Sequence, residues 1–551
     1  MSETFDFVAV GSGPGALCAA LALRAAGKTV LVLEKADLVG GTTATSGGVM
    51  WIPNNRYMKA AGVADSREQA LSYMNAVVGD SGDAPGATPA RQETYIDKAP
   101  EMLEFLISQG LQFRRIPNWP DYVDAPGQQE GGRTVISELF DLKKLGPWKA
   151  RLRKGFIPIP AYIEEAMELP YVFKRKQSTQ ALWKILGRTF GSMLKGQRLA
   201  TAGQALAAQL LHAALEAGAQ VRVNCGVKEL IVEDGRVTGV VADCDGKETR
   251  IIASSGVLIN AGGFAKNQAM LDQYIPGTKA EWSGTIAEDT GDLILAGQRI
   301  GAALAQMDQR VGYPSVLTPA KPDYPTFMQG DMAKPHSITV DHEGKRFMCE
   351  AASYATLSKG IWEHHRNASA MQAWMVVDSQ YASRYSIAGG RGKKLQAWVE
   401  AGFIKKGETL SELAAACNID GANLEATVAR FNGFVANNRD EDFGRGSHVY
   451  QNWLGDALAE KSTTLGSLSQ GPYYAVPVYP GDVSTYGGLV TDSDARVLRE
   501  DGSVIEGLYA TGVSTASVMG KGCTGAGASI GPSITWGYVA AQHVLNNTEA
   551  G

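Results

Sequence analysis

Phe5-Asp6-Phe7-Val8-Ala9-Val10 leads into Gly11-Ser12-Gly13-Pro14-Gly15-Ala16, then an apolar stretch from Leu17 to Ala26, a break at Gly27, and a second apolar run from Thr29 to Leu33 that ends on Glu34. The pattern predicts strand, glycine turn, helix and a second parallel strand, because a continuously apolar strand belongs in a sheet covered on both faces. The turn is a GxGxx(G/A) sequence in its required context, with an acidic residue about 20 positions on. Gly11 and Gly13 let the backbone approach a pyrophosphate. The helix opening at Pro14, Gly15 and Ala16 offers its N-terminus to that charge. Glu34 stands where an adenosine ribose needs a hydrogen-bond acceptor. Together these features predict a dinucleotide-binding unit.

The next segment separates flavin from nicotinamide. Lys35-Ala36-Asp37-Leu38-Val39-Gly40-Gly41-Thr42-Thr43-Ala44-Thr45-Ser46-Gly47-Gly48 is a long Gly/Ser/Thr stretch, and strand-like Val49-Met50-Trp51-Ile52 follows at once. Its N–H groups and hydroxyls, from Gly41, Thr42, Thr43, Ser46, Gly47 and Gly48 above all, suit a diphosphate and a flavin ring. Two distant pieces fit the same unit: Gly256 to Phe264, a buried strand ending at Ala261, Gly262 and Gly263, and Gly507 to Gly512, a strand-to-loop passage. Near the C-terminus, Gly525-Ala526-Gly527-Ala528-Ser529-Ile530 opens into a helix whose positive end is expected against the flavin.

The chain has 551 residues, 44% apolar and 20% charged, which is globular composition with ample core. The 64 glycines exceed the usual share and cluster in short motifs, as tight turns against a ligand require. A net charge of −5 favours no nucleic acid. No apolar run is long enough to span a bilayer, and the N-terminus has neither a basic leader nor a cleavage site, so a cytoplasmic location is expected. Cys18, Cys225, Cys244, Cys349, Cys417 and Cys523 are scattered without CxxC spacing, and the seven histidines are dispersed apart from His364-His365. Reduced thiols and no metal site are the expectation.

With these motifs in place, the chain resembles the flavoprotein superfamily of fumarate reductases and 3-ketosteroid dehydrogenases, and Gly40 to Asn55, GGTTATSGGVMWIPNN, is most similar to the ketosteroid dehydrogenases. The resemblance implies an α/β fold: a Rossmann-like FAD-binding domain assembled from N- and C-terminal segments, with an inserted α+β substrate domain. It also assigns Val227, in the 201–265 stretch, to the cofactor. In Lys345 to Tyr354 the one arginine, Arg346, belongs to the strand motif, Gly520 to Gly527 has none, and the arginines with which fumarate reductases hold a dicarboxylate are thus missing; a dicarboxylate left unpaired there is expensive to bury. No histidine lies between Thr42 and Gly48, where covalent members attach their flavin, so non-covalent FAD is expected.

The ketosteroid branch implies roles. Desaturating a ketone at its α,β bond removes an α-proton and a β-hydride, the hydride going to flavin N5. The resemblance makes Tyr354 the base and Tyr122, in Asn118-Trp119-Pro120-Asp121-Tyr122, its partner. Paired tyrosines make physical sense, because a lone phenol is a poor base near neutrality. At the carbonyl site this chain departs from the family. Where ketosteroid 1-dehydrogenases carry a tyrosine, it reads Cys523-Thr524-Gly525-Ala526-Gly527. The Gly527 N–H remains, the phenol is gone, and Cys523, Thr524 or Tyr486 are the candidates to compensate. A 3-ketosteroid is the expected substrate. The alternatives are a small cyclic ketone such as cyclohexanone, the mouth narrowed by Trp119, or an ene-reductase running in reverse. Outside catalysis, a flavin-binding partner subunit stays open. The electron acceptor is oxygen, a quinone or a carrier protein.

The expected organisation is a flavin domain over 1–285 and 470–551 with the substrate domain at 286–469. Residues 143–198 form an excursion with 13 Lys/Arg against three Glu, interleaved with Trp148, Phe156, Ile157, Tyr171, Phe173, Trp183 and Phe190. A solvated helix pair or an oligomer contact is one reading, and peripheral docking on an anionic membrane the other. His364-His365 and the run Arg439-Asp440-Glu441-Asp442 are expected at the surface.

Overall fold

The computed structural model describes residues 3–79, 84–172, 174–368 and 371–549. The opening motif folds as its periodicity requires. The strand Glu3–Val10 is followed by the helix Pro14–Ala25 and by Val30–Leu33, which pairs parallel to the first strand. Proline at the first helical turn costs no hydrogen bond, since that N–H has no partner inside the helix.

An eight-stranded sheet grows around this unit. Arg496–Leu498, Val504–Ala510, Lys247–Ile259, Glu3–Val10, Val30–Leu33 and Gln220–Arg222 lie side by side in that order. The hairpin Cys225–Glu233 and Arg236–Cys244 pairs antiparallel onto the long Lys247–Ile259 strand. Strands from both ends of the chain thus share one sheet, the α/β arrangement expected. Across it packs the helix Ile530–Glu549, which meets Pro14–Ala25 closely enough that a Cβ on Gly537 would fall 2.1 Å from the Gly15 carbonyl oxygen.

A second, antiparallel sheet, Ser337–Val340, Ala373–Val377, Tyr473–Val478 and Lys405–Gly407, stands apart from the first. Because Tyr473–Val478 hydrogen-bonds into this sheet, the chain returns to the first sheet only after Val478, not at 470 as expected. Beside it the helix Tyr354–His365 begins on Tyr354, capped by the Ser353 hydroxyl, which accepts from the Thr356 N–H at 3.3 Å. The segment before Tyr354 is pinned by a buried ionic network: Arg346 Nη2 lies 2.8 Å from Glu350 Oε2 and 2.9 Å from Asp440 Oδ2, and Arg445 Nη1 is 3.2 Å from Glu350.

Two surface expectations and the expectation of reduced thiols are corrected here. Asp440 is buried, because it answers Arg346. His365 is buried too: it follows Leu357 and Ile361 at four-residue spacing on the inner face of its helix. Cys225 and Cys244, opposed in the hairpin register with Cα atoms 4.0 Å apart, form a disulfide, whereas Cys18, Cys349, Cys417 and Cys523 are free.

The 143–198 excursion contains the helices Ile163–Glu168 and Lys176–Leu194. It is tied to the flavin segment where Arg153 N donates to Val39 O, and the Arg153 guanidinium meets Glu288 at 2.8 Å. Phe173 lies outside the described residues. Among those described, no helix is long and apolar enough to cross a membrane.

Candidate active site

One cavity of about 1530 Å³ runs from the glycine turn to the second sheet. A single small-ligand site occupies roughly 300–1,000 Å³, so this volume accommodates a dinucleotide and a further ring system together. Its walls include Gly11, Gly13, Pro14, Glu34, Lys35, Gly41, Thr42, Thr43, Ser46, Gly47, Gly48, Val227, Ala261, Gly262, Ser529 and Ile530. The remaining residues expected at the cofactor, Gly15, Ala16, Gly512, Gly525 and Ala528, do not line it. They build the wall from behind. The Ala16 N–H is taken by Asn260 Oδ1 at 2.9 Å, Gly512 abuts Asn260 and Ser533, and Gly525 rests against Trp51.

The wall fits FAD. The Gly13 N–H has no acceptor among the described residues although it lies at a helix start facing the cavity, which suits a diphosphate. Gly11, at φ +96°, admits no side chain: a Cβ would fall 2.2 Å from the Asn260 carbonyl oxygen. Gly48 is equally constrained, with Gly203 N at 2.4 Å from its Cβ position. The buried Glu34 spends Oε2 on the Ser12 N–H (3.1 Å) and hydroxyl (2.6 Å) and accepts the Ala36 N–H on Oε1, leaving Oε1 one lone pair for a ribose. Lys35 is engaged elsewhere, with Asp292 Oδ2 and Thr290 Oγ1 both at 2.7 Å.

Away from the glycine turn the wall becomes aromatic. Ring follows ring in contact: Trp119 to Trp453 (4.9 Å between centroids), Trp453 to Tyr450 (5.7 Å), Tyr450 to Tyr122 (4.5 Å), Tyr122 to Tyr354 (5.4 Å), Tyr354 to Tyr313 (4.7 Å) and Tyr313 to Phe327 (4.4 Å). All seven line the cavity. Sequence reading reached Trp119, Tyr122 and Tyr354. It missed Tyr313, Tyr450, Trp453 and Phe327, which come from separate segments with no shared motif.

Tyr122 and Tyr354 are therefore brought together. Tyr122 is anchored through its backbone, whose N–H donates to Thr524 O at 3.1 Å, and Tyr73 Oη donates to the same carbonyl at 2.7 Å. Burial pushes both phenols well above the ordinary tyrosine value, and for Tyr354 the Tyr122 hydroxyl pulls in the opposite direction. Beneath this loop lies a buried strut. Asp121 accepts from Trp51 Nε1 (2.8 Å) and Arg133 Nη1 (2.7 Å), and Arg133 Nη2 reaches Asp65 at 2.6 Å. Burial raises Asp121 to about 6 despite Arg133. Because Gly525 rests on Trp51, the strut links the Tyr122 loop to the C-terminal glycine loop.

Gly527 is on the cavity wall at φ +92°, wedged so that a Cβ would meet Met50 Cα at 2.5 Å, and its N–H has no acceptor among the described residues. Cys523 and Tyr486 are placed differently from expectation. Both are buried and neither lines the cavity. The thiol sits behind Tyr354 with Tyr486 as its other neighbour, and burial pushes it up to about 12. Thr524 is also buried, its hydroxyl turned to Met519 Sδ.

Comparison with known proteins finds relatives over nearly the whole chain. The FAD binding domain family matches over residues 6–530. A 3-oxosteroid 1-dehydrogenase of Mycobacterium tuberculosis is 36% identical, covering 99% of each chain. A 4-oxocyclohexanecarboxylate 2-dehydrogenase of Sinomonas cyclohexanicum is 35% identical over 98% of this chain and 93% of its own. The crystal structure of 3-ketosteroid delta1-dehydrogenase from Sterolibacterium denitrificans in complex with 1,4-androstadiene-3,17-dione superposes with a TM-score of 0.91 at 34% identity, covering 99% of this chain and 100% of that one. The chain belongs to the FAD-binding oxidoreductase family that contains the 3-oxosteroid 1-dehydrogenases.

Proposed function

We propose that the protein desaturates a cyclic ketone, a 3-ketosteroid at its 1,2 bond. The observation that carries this is Tyr354, backed by Tyr122, on an aromatic wall that continues the cavity of the FAD-binding residues. The Tyr354 oxygen takes the α-proton: the substrate C–H bond breaks, a phenol O–H bond forms, and the electron pair stays on the substrate. The Gly527 N–H, without an acceptor among the described residues, donates to the carbonyl oxygen as negative charge builds there. Bound FAD supplies at N5 the acceptor for the β-hydride, so that the pair left by the α-proton closes the new double bond. Trp119, Trp453 and Tyr450 hold a flat apolar ring system and exclude water.

Similarity to the 4-oxocyclohexanecarboxylate enzyme supports a second reading, a small-ring ketone. A carboxylated substrate needs a cation. The cavity wall carries Lys35, held by Asp292, Lys228, held by Asp243, and also Arg299 and Lys321, for which no carboxylate partner is found among the described residues. Anaerobic titration of the holoprotein decides: bleaching of the flavin by androst-4-ene-3,17-dione supports the steroid reading, bleaching by cyclohexanone alone moves the substrate to small rings, and bleaching by neither refutes both.

The basic excursion supports peripheral docking on an anionic membrane surface, from which a lipophilic ketone is drawn. Phe156, Ile157, Ile163 and Met167 of that excursion line the cavity. Exposed Trp183, Phe190 and Leu194 share one face of its longer helix, with Lys184, Lys195 and Arg198 exposed around them.

A further inference from the structure

We infer that Asp124 and His448 are positioning residues whose ion pair holds the loop of Tyr122 against the helix of Tyr450 and so keeps the aromatic wall of the substrate site closed. The inference rests on the reading of this cavity as a ketosteroid site and deepens it.

The two segments meet residue for residue. Trp119 contacts Trp453 (4.9 Å between centroids), Tyr122 contacts Tyr450 (4.5 Å), and His448 Nδ1 donates to Asp124 Oδ2 at 2.6 Å. Each step forward from Trp119 to Tyr122 to Asp124 is matched by an equal step back from Trp453 to Tyr450 to His448, so the segments run antiparallel in one register. The two ring pairs line the cavity. Asp124 and His448 do not; they close the seam from outside, their side chains 31% and 48% exposed.

Each segment is anchored to a different part of the protein. The Tyr122 loop hangs from the C-terminal glycine loop and its strut: Tyr122 N donates to Thr524 O at 3.1 Å, and Asp121 holds Trp51 and Arg133. The helix Val449–Leu454 hangs from residues 329–334, since Gln329 Nε2 donates to Tyr450 Oη at 2.9 Å and Lys334 Nζ to Leu454 O at 3.0 Å. Tyr354 goes with the helix, because Ala352 and Glu350 just ahead of it are held by Gln329 and Arg445. The edge contact of Tyr122 on Tyr354 therefore crosses between separately anchored groups, and the seam keeps it in place. An exposed ion pair adds little to overall stability, but here it bears on how often the two groups part, by about 2- to 5-fold.

The test reverses a charge without touching the cavity. His448 is the N-cap of its helix, a place where aspartate is favoured, so His448→Asp keeps the helix and sets two carboxylates against each other. In the holoprotein, 1,4-androstadiene-3,17-dione bound at the flavin should then leave about 3- to 10-fold faster, read by stopped-flow from the flavin absorbance. Asp124→Ala should speed release by about 2- to 5-fold and carries the test if His448→Asp loses its flavin. Asp124→Lys combined with His448→Asp should restore the wild-type rate, which a purely structural effect of either substitution would not do. Release unchanged in both single variants, or faster release that the double variant does not restore, refutes the ion pair as a positioning device and leaves the ketosteroid reading standing. If the wild-type flavin spectrum does not respond to the steroid at all, the ketosteroid reading falls and the inference with it.

Discussion

Tyr313 lies flat on Tyr354, the two rings 8° from coplanar with centroids 4.7 Å apart, while Tyr122 meets the same ring edge-on at 81°. Flanked by both, the Tyr354 ring has little rotational freedom, and its oxygen is presented at a fixed place on the cavity wall. Phenylalanine fits that slot without disturbing either neighbour. Tyr354→Phe should therefore keep its flavin content and lose turnover by about 10²- to 10⁴-fold, the usual worth of a positioned base. Full flavin loading with undiminished turnover removes Tyr354 from the reaction.

The pH dependence has a definite sign. Burial holds the Tyr354 phenol well above its ordinary value, so the protein near neutrality contains mostly the protonated form. A base acts deprotonated, and its anionic fraction grows about tenfold per pH unit below its pKa. We expect log kcat/KM to climb with unit slope through neutrality into the alkaline range. A profile flat over that range means that the proton goes to another group.

Cys523 tests how far the departure from the family reaches. A group donating directly to the substrate carbonyl is worth about 10²- to 10³-fold in kcat. The thiol is off the cavity wall and behind Tyr354, so Cys523→Ala should cost less than about tenfold. A loss of the larger size would put the thiol on the carbonyl.

The glycine turn, the flavin strand pairing and the C-terminal helix were legible because their signal is local: period, turn residues and positions such as Gly11 (φ +96°) and Gly48 (φ +64°), whose backbone favours glycine. Tyr122 and Tyr354 were legible only through the resemblance. Tyr450 and Gln329 were not, because nothing around position 329 or 450 has a period or spacing, and the fold brings them together across 121 positions. The same holds for the Cys225–Cys244 pair, set by hairpin register, and for Asp440, whose acidic run reads as solvated until Arg346 arrives from 94 positions away. His365 differs: its spacing from Leu357 and Ile361 already marked the inner face of a helix.

The strut under the active-site loop should respond asymmetrically. Arg133→Met strands both Asp65 and Asp121 in the interior and should cost about 3–5 kcal/mol. Asp121→Asn should cost about 1 kcal/mol, since burial already raises that carboxyl to about 6 and Asn still accepts from Trp51. The folded-state value lies above the ordinary 3.8, so the folded protein holds a proton that the unfolded chain has released. Stability from this group is therefore lost as pH rises from 3.8 to about 6, and Asp121→Asn removes that loss. Denaturant titrations of the two variants at pH 4 and pH 7 check both statements; equal costs would mean that Arg133 and Asp121 act only on each other.

The basic excursion gives the last prediction. Six of the eleven most exposed large hydrophobics among the described residues fall within it, including Trp183 at 63%, Phe190 at 64% and Leu194 at 90% exposure. A helix held to the protein through Ala181 and Ile185 on one side and bare on another has an apolar face with no partner among the described residues. Sequence charge and exposed apolar surface act together at an anionic bilayer: lysines and arginines contribute about 1 kcal/mol each near the surface, and the buried rings supply the rest. We expect co-sedimentation with anionic vesicles at low salt, weaker at high salt, and absent with neutral lipid. Trp183→Ser with Phe190→Ser and Leu194→Ser should abolish it while bleaching by steroid added in solution is retained, because the helix does not line the cavity. If the wild type instead self-associates without lipid and the triple variant is monomeric, the apolar face is an oligomer contact.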